Sequence, residues 1–433
     1  MAGNDDIPAA LSKAWHEQSA RSSLERWLEL CNKEGWGEVP QDLPLLVGIF
    51  GASWYFTRYI FYRGIEAATL IDLALEQEFD MDSIKARLLQ VTQSKGAEEQ
   101  LELLRLLKNE IMLQILACDL KDLLTQKETE QALTNLANAS LGLVLEIFDL
   151  KSLEQSRLAV FGMGRMAGDE MSFGSDLDLI FLFESGTQDD SYELSRKVRI
   201  LMRNIAAAGS AGSLYEIDMR LRPHGTSGAL LTSANSFLEY HQAECDIWER
   251  QMMTRCRAVI DNHGLGTEYL DRISGFIYQD YDIDFLREEI INMRKRVQDE
   301  KGTLGGKYEV KRGRGGIMDI DFLTHFLQLA HGSRHPELRT TSTRAALKSL
   351  EKLDLIPARV SSKLLQAYDL LKRTESSIRL FDMKPVSAFP VQTAAHLPVA
   401  AAMGYTGDNA GDFVEEYIET TDYVRRQFRK YVG

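Results

Sequence analysis

The pattern of apolar and polar positions divides the chain into a helical first part, a mixed middle part and a helical last part. In residues 98–124, apolar side chains recur at spacings of three and four, which places them on one face of a helix. A second stripe of this kind runs through residues 131–148. We interpret both stripes as core packing, and they predict a helical domain over residues 1–150.

The middle of the chain alternates between strand and helix patterns. Short apolar runs at 158–161, 177–183 and 214–221 are separated by a glycine-rich stretch and by a helical pattern over 192–208. This alternation predicts a small mixed sheet with helices. Further on, a short strand at 307–311 and a helix at 317–330 stand among other helical patterns. The expected fold is α+β, with a core at 151–280 and a C-terminal helical bundle at 281–433.

Composition and charge narrow the range of functions. The 433 residues carry 50 Lys and Arg against 64 Asp and Glu, a net charge of −14, which argues against a general nucleic-acid binder. The longest uncharged apolar run, 43–57, is shorter than the roughly 20 residues of a membrane span. No signal peptide is evident, and the four cysteines lack zinc or disulfide spacing. We expect a cytoplasmic protein that binds neither nucleic acid nor membrane.

The strongest chemical signal is a pair of carboxylates at the start of the second apolar run. Asp176 and Asp178 follow Ser175, and side chains two residues apart on a strand point to the same face. Carboxylates so close repel each other unless a cation lies between them. Oxygen ligands suit Mg²⁺ or Mn²⁺, and paired ions can stabilise the attacking and leaving oxygens of a phosphoryl-type displacement.

A third carboxylate fits the same site. Asp218, Arg220 and Arg222 alternate along the third apolar run, so we expect them on one face of a strand. The acid would complete the metal site or accept a proton, and the arginines would hold phosphate oxygens. An Asp-x-Asp pair alone is weak, because acids often end strands as solvated groups. The combination with Asp218 and its arginines is more specific.

A glycine-punctuated stretch follows the first apolar run. Gly162, Gly164 and Gly168 surround Arg165, and backbone N–H groups there could meet a phosphate. A dinucleotide-binding turn is the main rival interpretation. Its third glycine would be one residue late, and only eight residues separate Gly168 from the next strand, too few for a crossover helix.

Weaker candidates lie outside this region. Lys311 ends the predicted strand at 307–311, and this segment could reach a nucleotide or a protein substrate. Asp319 and Asp321 open the next helix, where they could be functional or could simply favour the helix dipole. Arg255 is expected to share a buried helix face with Trp248, Met252 and Val259.

The glycine stretch and the Ser175–Asp178 segment resemble the signature of the DNA polymerase β-like nucleotidyltransferases. One departure is plain, since Met163 and Gly164 stand where that superfamily has Gly-Ser. The resemblance implies a polymerase β-like core between the two helical regions. A narrower resemblance, to the glutamine synthetase adenylyltransferases, rests on several separated blocks: 162–165, 175–181, 218–223, 227–228, 248–250 and 315–322.

This resemblance implies an enzyme that adds AMP to a tyrosine of glutamine synthetase from ATP, or removes it by phosphorolysis to give ADP, with Mg²⁺ or Mn²⁺. It implies glutamine synthetase as the protein substrate and a PII-type signal protein as a regulator. The expected catalytic and metal-binding residues are Asp176, Asp178 and Asp218. The expected nucleotide-binding residues are Gly162, Gly164, Arg165, Gly168, Ser175, Arg220, Arg222 and Lys311.

The direction of the reaction is left open by the sequence. The layout, with helices before the catalytic segment, resembles the adenylyl-removing half of that two-headed family. The block at 175–182 is closer to the adenylylating half, and the block at 218–223 is closer to the removing half. A polymerase β-like transferase with another acceptor and a catalytically silent regulatory half are the alternatives.

Overall fold

The computed structural model describes residues 7–37, 39–150, 156–185, 188–302, 305–406 and 409–433. The extreme N-terminus and the predicted boundary between residues 150 and 151 lie outside these ranges. The first part of the chain is helical: α1 Ile7–Lys13, α2 Glu17–Glu34, α3 Leu43–Ala52, α4 Trp54–Arg63, α5 Ile65–Leu73, α6 Met81–Thr92, α7 Ala97–Leu120 and α8 Gln126–Ile147.

Helix α8 begins five residues before its apolar stripe because of its N-terminal cap. The Thr125 side chain accepts the backbone N–H of Glu128, and the Glu128 carboxylate accepts the backbone N–H of Thr125. This reciprocal capping box satisfies two N–H groups that lack a partner within the helix. The predicted helix at 98–124 is α7, which ends at Leu120.

A five-stranded mixed sheet follows. The strands and helices of this part of the chain are β1 Ser156–Met163, the four-residue helix α9 Gly164–Ala167, β2 Leu177–Ser185, α10 Gln188–Ala206, β3 Ile217–Asp218, β4 Leu231–Ser233, α11 Ala234–Ala243, α12 Ile247–Met253, β5 Cys256–Asp261 and α13 Leu265–Ile277. The strand order is β3-β2-β1-β5, with β4 also paired to β2. Strand β1 is antiparallel to β2 and β5, whereas β2 is parallel to β3 and β4.

The third predicted strand is much shorter than the expected 214–221. Strand β3 contains only Ile217 and Asp218. The Asp218 side chain accepts the backbone N–H of Arg220 at 2.8 Å, a local bond that turns the chain out of the extended conformation. The prediction that Asp218, Arg220 and Arg222 share one strand face is therefore wrong.

The last part of the chain is mostly helical. Its elements are α14 Ile283–Lys301, β6 Lys307–Glu309, α15 Ile317–His331, α16 Thr343–Lys352, α17 Ala358–Leu380, β7 Ala388–Pro390, α18 Thr393–Ala402 and α19 Ala410–Tyr431. The predicted strand at 307–311 is β6, which pairs with β7. The helix face expected for Trp248, Met252, Arg255 and Val259 is wrong, because α12 ends at Met253 and Val259 lies in β5.

The sheet lies between two hydrophobic cores, one on each face. Leu158 and Val160 of β1 belong to the core formed with the N-terminal helices. Ala159 and Phe161 belong to the core formed with the C-terminal helices. The two-residue period of the strands thus sends alternate side chains into different cores. The α+β fold class predicted from the sequence is confirmed.

Two observations bear on the composition-based expectations. Among the helices of the described residues, none combines the length and apolar character that a bilayer crossing needs. All four cysteines are buried and free of disulfide bonds.

Asp319, which opens α15, is fully buried in an ion-pair network. Its carboxylate accepts hydrogen bonds from Arg294 at 2.5 Å, from Arg425 at 3.2 Å and from the Gly315 N–H at 2.8 Å. Arg294 is itself only 1% exposed. The acid therefore anchors the loop before α15 to α14 and α19, which is a structural role.

We predict that Asp319→Asn lowers the free energy of unfolding by about 3–5 kcal/mol, because Arg294 would keep a buried charge with a neutral partner. Urea denaturation followed by circular dichroism measures the change. Asp284→Asn is the matched control, since the Asp284 side chain is 93% exposed in its pair with Arg287 and should contribute less than about 1 kcal/mol. Equal effects of the two substitutions would contradict the buried-network assignment.

Candidate active site

Three carboxylates converge at one edge of the sheet. Asp176 immediately precedes β2, and the parallel pairing of β2 with β3 places Asp178 directly opposite Asp218. The Leu177 N–H donates to the Glu216 carbonyl at 2.9 Å, which fixes this register. One oxygen of each carboxylate lies within 4.8 Å of the others. Asp176 is exposed, and the other two are half-buried.

The alternation of β2 explains why these acids face the C-terminal half of the molecule. Leu177 and Leu179 enter the core beneath the N-terminal helices, whereas Ile180 and Leu182 enter the opposite core. Asp178 has the parity of Ile180, so its side chain projects on the side of the C-terminal helices. The cationic residues described below lie on this side.

The carboxylates perturb one another. Burial, then the neighbouring Asp176 and Asp218, raise the pKa of Asp178 to about 7, although Lys311 and Arg165 act in the opposite direction. Asp218 behaves differently, because hydrogen bonds from Arg220 lower its pKa. The Arg220 Nε lies 3.0 and 2.8 Å from the two Asp218 oxygens. The trio therefore holds more negative charge than its own surroundings neutralise.

The glycine stretch contributes one residue to the site and two to packing. Gly164 has a φ of +56°, and a Cβ there would lie 3.4 Å from an Asp178 oxygen. A Cβ on Gly162 would meet Val259 at 2.8 Å, and one on Gly168 would meet Arg255 at 2.5 Å. Of the three glycines expected to approach phosphate, only Gly164 lies at the carboxylates. Gly162 and Gly168 allow close packing of β5 and Arg255.

Arg165 is fixed beside the carboxylates by hydrogen bonds. Its guanidinium donates to the Ser172 hydroxyl at 2.9 Å and to both carboxylate oxygens of Glu375 at 2.6 and 2.5 Å. The Ser175 hydroxyl accepts the Ser172 backbone N–H at 3.1 Å. Glu375 is fully buried on α17. Helix α17 thus positions the turn that precedes the carboxylates.

Lys311 and Arg379 complete a group of cations around Glu375. Arg165 and burial lower the pKa of Lys311 to about 7, against the opposing effect of Glu375. Arg379 forms an ion pair with Glu375 at 3.2 Å, and burial together with Arg165 lowers the pKa of Arg379 to about 10. Asp176 and Glu375 oppose that shift. One buried carboxylate is therefore shared by several cations, which leaves positive charge available to an anionic ligand.

Arg255 supports the same turn from the other side. Its Nε donates to the Gly164 carbonyl at 3.1 Å, and its Nη2 donates to Glu170 at 2.5 Å. Burial alone would raise the pKa of Glu170, but the charges of Arg255 and Lys372 lower it to about 2. Asp321 also pairs with Arg255, at 3.4 Å. These contacts position the glycine turn, and they give Asp321 a structural role.

Two arginines differ from their expected places. Arg222 is 8% exposed, and its guanidinium donates to the carbonyls of Met219, Thr226 and Gly228. It therefore stabilises the turn after β3 and forms no hydrogen bond to the carboxylates, although its charge helps to lower the pKa of Asp218. Arg220 does lie at the site, but it pairs with Asp218, and its side chain remains 69% exposed. The chain leaves the strand at Asp218, which separates the two arginines.

Sequence reasoning missed Ser172, Glu375 and Arg379. Glu375 and Arg379 are one helical turn apart, on a helix whose polar positions look like ordinary solvated ones. A possible signal was the polar series Lys372, Glu375, Arg379, which shares one helix face. The pattern gives no indication that this face packs against residues 200 positions earlier.

Comparison with known proteins assigns the family. A family model described as glutamate-ammonia ligase adenylyltransferase matches residues 43–272, more than half of the chain. The chain belongs to this family. A second family model, GlnD PII-uridylyltransferase, matches residues 284–432 of the chain.

Curated relatives show the same relationship. A protein of Chromobacterium violaceum is 33% identical over 81% of the chain, and one of Nitrosomonas europaea is 30% identical over 83%. One of Aromatoleum aromaticum is 29% identical over 84%. Each is named bifunctional glutamine synthetase adenylyltransferase/adenylyl-removing enzyme. The chain spans only about two fifths of these relatives: 40% of the Chromobacterium protein, 41% of the Nitrosomonas protein and 40% of the Aromatoleum protein.

These findings confirm the family inferred from the motif blocks. The blocks from 162 to 250 lie within the first match, and the block at 315–322 lies within the second. The second match contains Lys311, Glu375 and Arg379. The three acids and Arg165 therefore lie in the first matched segment, whereas Lys311 and Arg379 lie in the second.

We predict that Asp178→Asn stabilises the cation-free protein at pH 8, and that this effect shrinks as the pH falls and is nearly absent at about pH 4. The folded-state pKa is raised, so the folded protein binds more protons than the unfolded chain between about pH 4 and 7. The wild type should lose stability as the pH rises through that window, and the variant should not lose this contribution. Thermal unfolding with a chelator present measures it. A variant less stable than wild type at pH 8 would contradict the electrostatic assignment.

Proposed function

We propose that this chain carries a divalent-metal-dependent nucleotidyltransferase site that adds AMP to a tyrosine of glutamine synthetase or removes it. The single observation that carries the proposal is the convergence of Asp176, Asp178 and Asp218 within 4.8 Å beside a group of cations. The names of the curated relatives supply the acceptor and the two directions. We also propose the division into domains at 1–150, 151–280 and 281–433, supported by strands β1–β5, which lie within 156–261.

The donor set fits a hard divalent cation. Three carboxylates offer oxygen ligands, and Gly164, which has no side chain, lies beside Asp178. Asp176, Asp178 and Asp218 would hold Mg²⁺ or Mn²⁺. When bound, such ions would stabilise negative charge that develops on the phosphoryl oxygens. The raised pKa of Asp178 is consistent with a carboxylate placed to meet a cation.

The protein's own groups would act on both substrates. Arg165, Lys311 and Arg379 would attract the phosphates of ATP, or the phosphate that releases AMP as ADP. Asp218 would accept the proton of the tyrosine hydroxyl as its oxygen attacks the α-phosphate and pyrophosphate leaves. In the reverse direction, phosphate attacks AMP-tyrosine and the phenol oxygen regains the proton. Arg220 would have to release Asp218, which its exposed side chain permits.

A role for a PII-type signal protein is a finer proposal. Its support is the match of residues 284–432 to a family whose description names PII. These residues include α17, whose Glu375 binds Arg165 at the site. A partner that shifted α17 would therefore alter the cations beside the carboxylates.

We predict that Asp218→Asn lowers the rate of AMP transfer or removal by about 10²–10⁴-fold, because the proton acceptor is lost. Asp176→Asn should cause a comparable loss through the metal site. The assay mixes the protein with glutamine synthetase in both adenylylation states, with Mg²⁺ and either ATP or phosphate, and reads the target by mass spectrometry.

Asp271→Asn is the matched control for these substitutions, because Asp271 is an exposed residue of α13 outside the site. It should retain wild-type activity. Wild-type rates in Asp176→Asn and Asp218→Asn would refute the assignment. If the wild type neither transfers nor removes AMP and shows no Mg²⁺-dependent nucleotide binding, the regulatory alternative would be favoured.

A further inference from the structure

A cavity of about 460 Å³ borders the carboxylates on the side of the N-terminal helices. Its walls come from α4, α7 and α8, from the loop that ends at Ser175 and Asp176, and from the segment that leads into β3. The size is that of a small-molecule or side-chain binding site. Because Asp176 and Ser175 line it, a group held here would lie next to the proposed reaction site.

The cavity contains one buried cation, Lys108 of α7. The residue is 8% exposed, and its Nζ donates to the carbonyls of Ser213 and Leu214 at 3.2 and 3.0 Å. Its ammonium also lies 5.3 Å from the centre of the Tyr215 ring. No carboxylate of the described residues forms an ion pair with it, and burial lowers its pKa to about 8. An ammonium has three N–H donors, so one remains for a ligand.

Besides the charged residues Asp176, Glu216 and Lys384, the remaining walls consist largely of aromatic and thioether side chains. The rings of Tyr55 and Tyr215 and the thioethers of Met112, Met171 and Met383 line the cavity. The Tyr55 hydroxyl is held by Asn109 at 3.0 Å, which fixes that ring. Thioether sulfur makes favourable contacts with aromatic rings, and aromatic rings stack on one another. Such walls do not suit a free inorganic anion.

We propose that this cavity is a subsite for a planar aromatic ring, held between the methionine and tyrosine side chains with Lys108 as its polar contact. The ammonium would attract the ring face or an acceptor atom on the ring edge. The inference rests on the proposed function, which offers two sources of such a ring. One is the adenine of the nucleotide, and the other is the phenol of the acceptor tyrosine.

The test uses two uncharged probes, adenosine and N-acetyltyrosinamide, with the full chain and a chelator. Neither probe carries a phosphate, so neither depends on the carboxylate site. The protein is labelled with ¹³C at its methionine methyl groups and followed by NMR. We expect one probe to shift the signals of Met112, Met171 and Met383 and to leave the signal of Met318, which does not line the cavity, unchanged.

The probe that produces these shifts identifies the source of the ring. Met112→Trp, which fills the cavity, should weaken binding of that probe at least tenfold, whereas Met112→Leu conserves the volume and should bind nearly as wild type. Lys108→Met should also weaken it, and Lys127→Met on the exposed face of α8 should not. Circular dichroism verifies that each variant is folded.

Failure of this inference is distinct from failure of the proposed function. If neither probe shifts the three methyl signals at millimolar concentration, or if Met112→Trp binds as well as Met112→Leu, the ring subsite is refuted. Mg²⁺-dependent binding of tripolyphosphate, which has no ring, tests the carboxylate and cation site alone. If the wild-type protein shows no Mg²⁺-dependent binding of tripolyphosphate, the proposed function is refuted. The methyl shifts would still test the ring subsite.

Discussion

Mutual repulsion among three carboxylates is the constraint on which the rest of this site depends. Asp176, Asp178 and Asp218 are brought within 4.8 Å by the register of two parallel strands, and folding alone gives no gain from such proximity. Arg220 forms its ion pair with Asp218, and it does so from an exposed position. Burial, together with repulsion from Asp176 and Asp218, raises the pKa of Asp178 to about 7. An arrangement of this kind is typical of a site that is completed by a cation.

The C-terminal helices hold the opposite charge in place. Two buried carboxylates form these ion pairs: Glu375 of α17 binds Arg165 of the glycine turn, and Glu170, which follows that turn, binds Arg255. Buried ion pairs contribute little net stability, because desolvation offsets their attraction. Their geometric effect is larger here. Arg165 is fixed by Glu375, and Arg255 holds the Gly164 carbonyl, so the turn facing Asp178 has its position set by residues more than 200 positions later and about 90 positions later, respectively.

The local part of this arrangement could be predicted from the sequence. Apolar runs identified β1 and β2, and the two-residue period placed Asp176 and Asp178 together. Parallel pairing then brought Asp218 opposite Asp178, as the motif suggested. The predicted position of Arg222 was wrong because β3 ends where the Arg220 N–H donates to the Asp218 side chain. The alternation of a strand does not predict side-chain directions beyond that turn.

The long-range part could not be predicted in this way. Glu375 and Arg379 lie on an amphipathic helix whose docking partner is not encoded in its period, and Gly168 looks like a phosphate-binding glycine until Arg255 is seen against it. Contacts between segments far apart in sequence depend on tertiary packing. The family matches over 43–272 and 284–432 show that both segments are present, and they carry no information on how the two segments pack together.

The most direct test of the central claim is anomalous diffraction from crystals grown with Mn²⁺ and a non-hydrolysable ATP analogue. One or two anomalous peaks should lie among the carboxylates of Asp176, Asp178 and Asp218, with the phosphates directed toward Arg165 and Lys311. Manganese density elsewhere, or nucleotide bound with no cation among these three acids, would contradict the account.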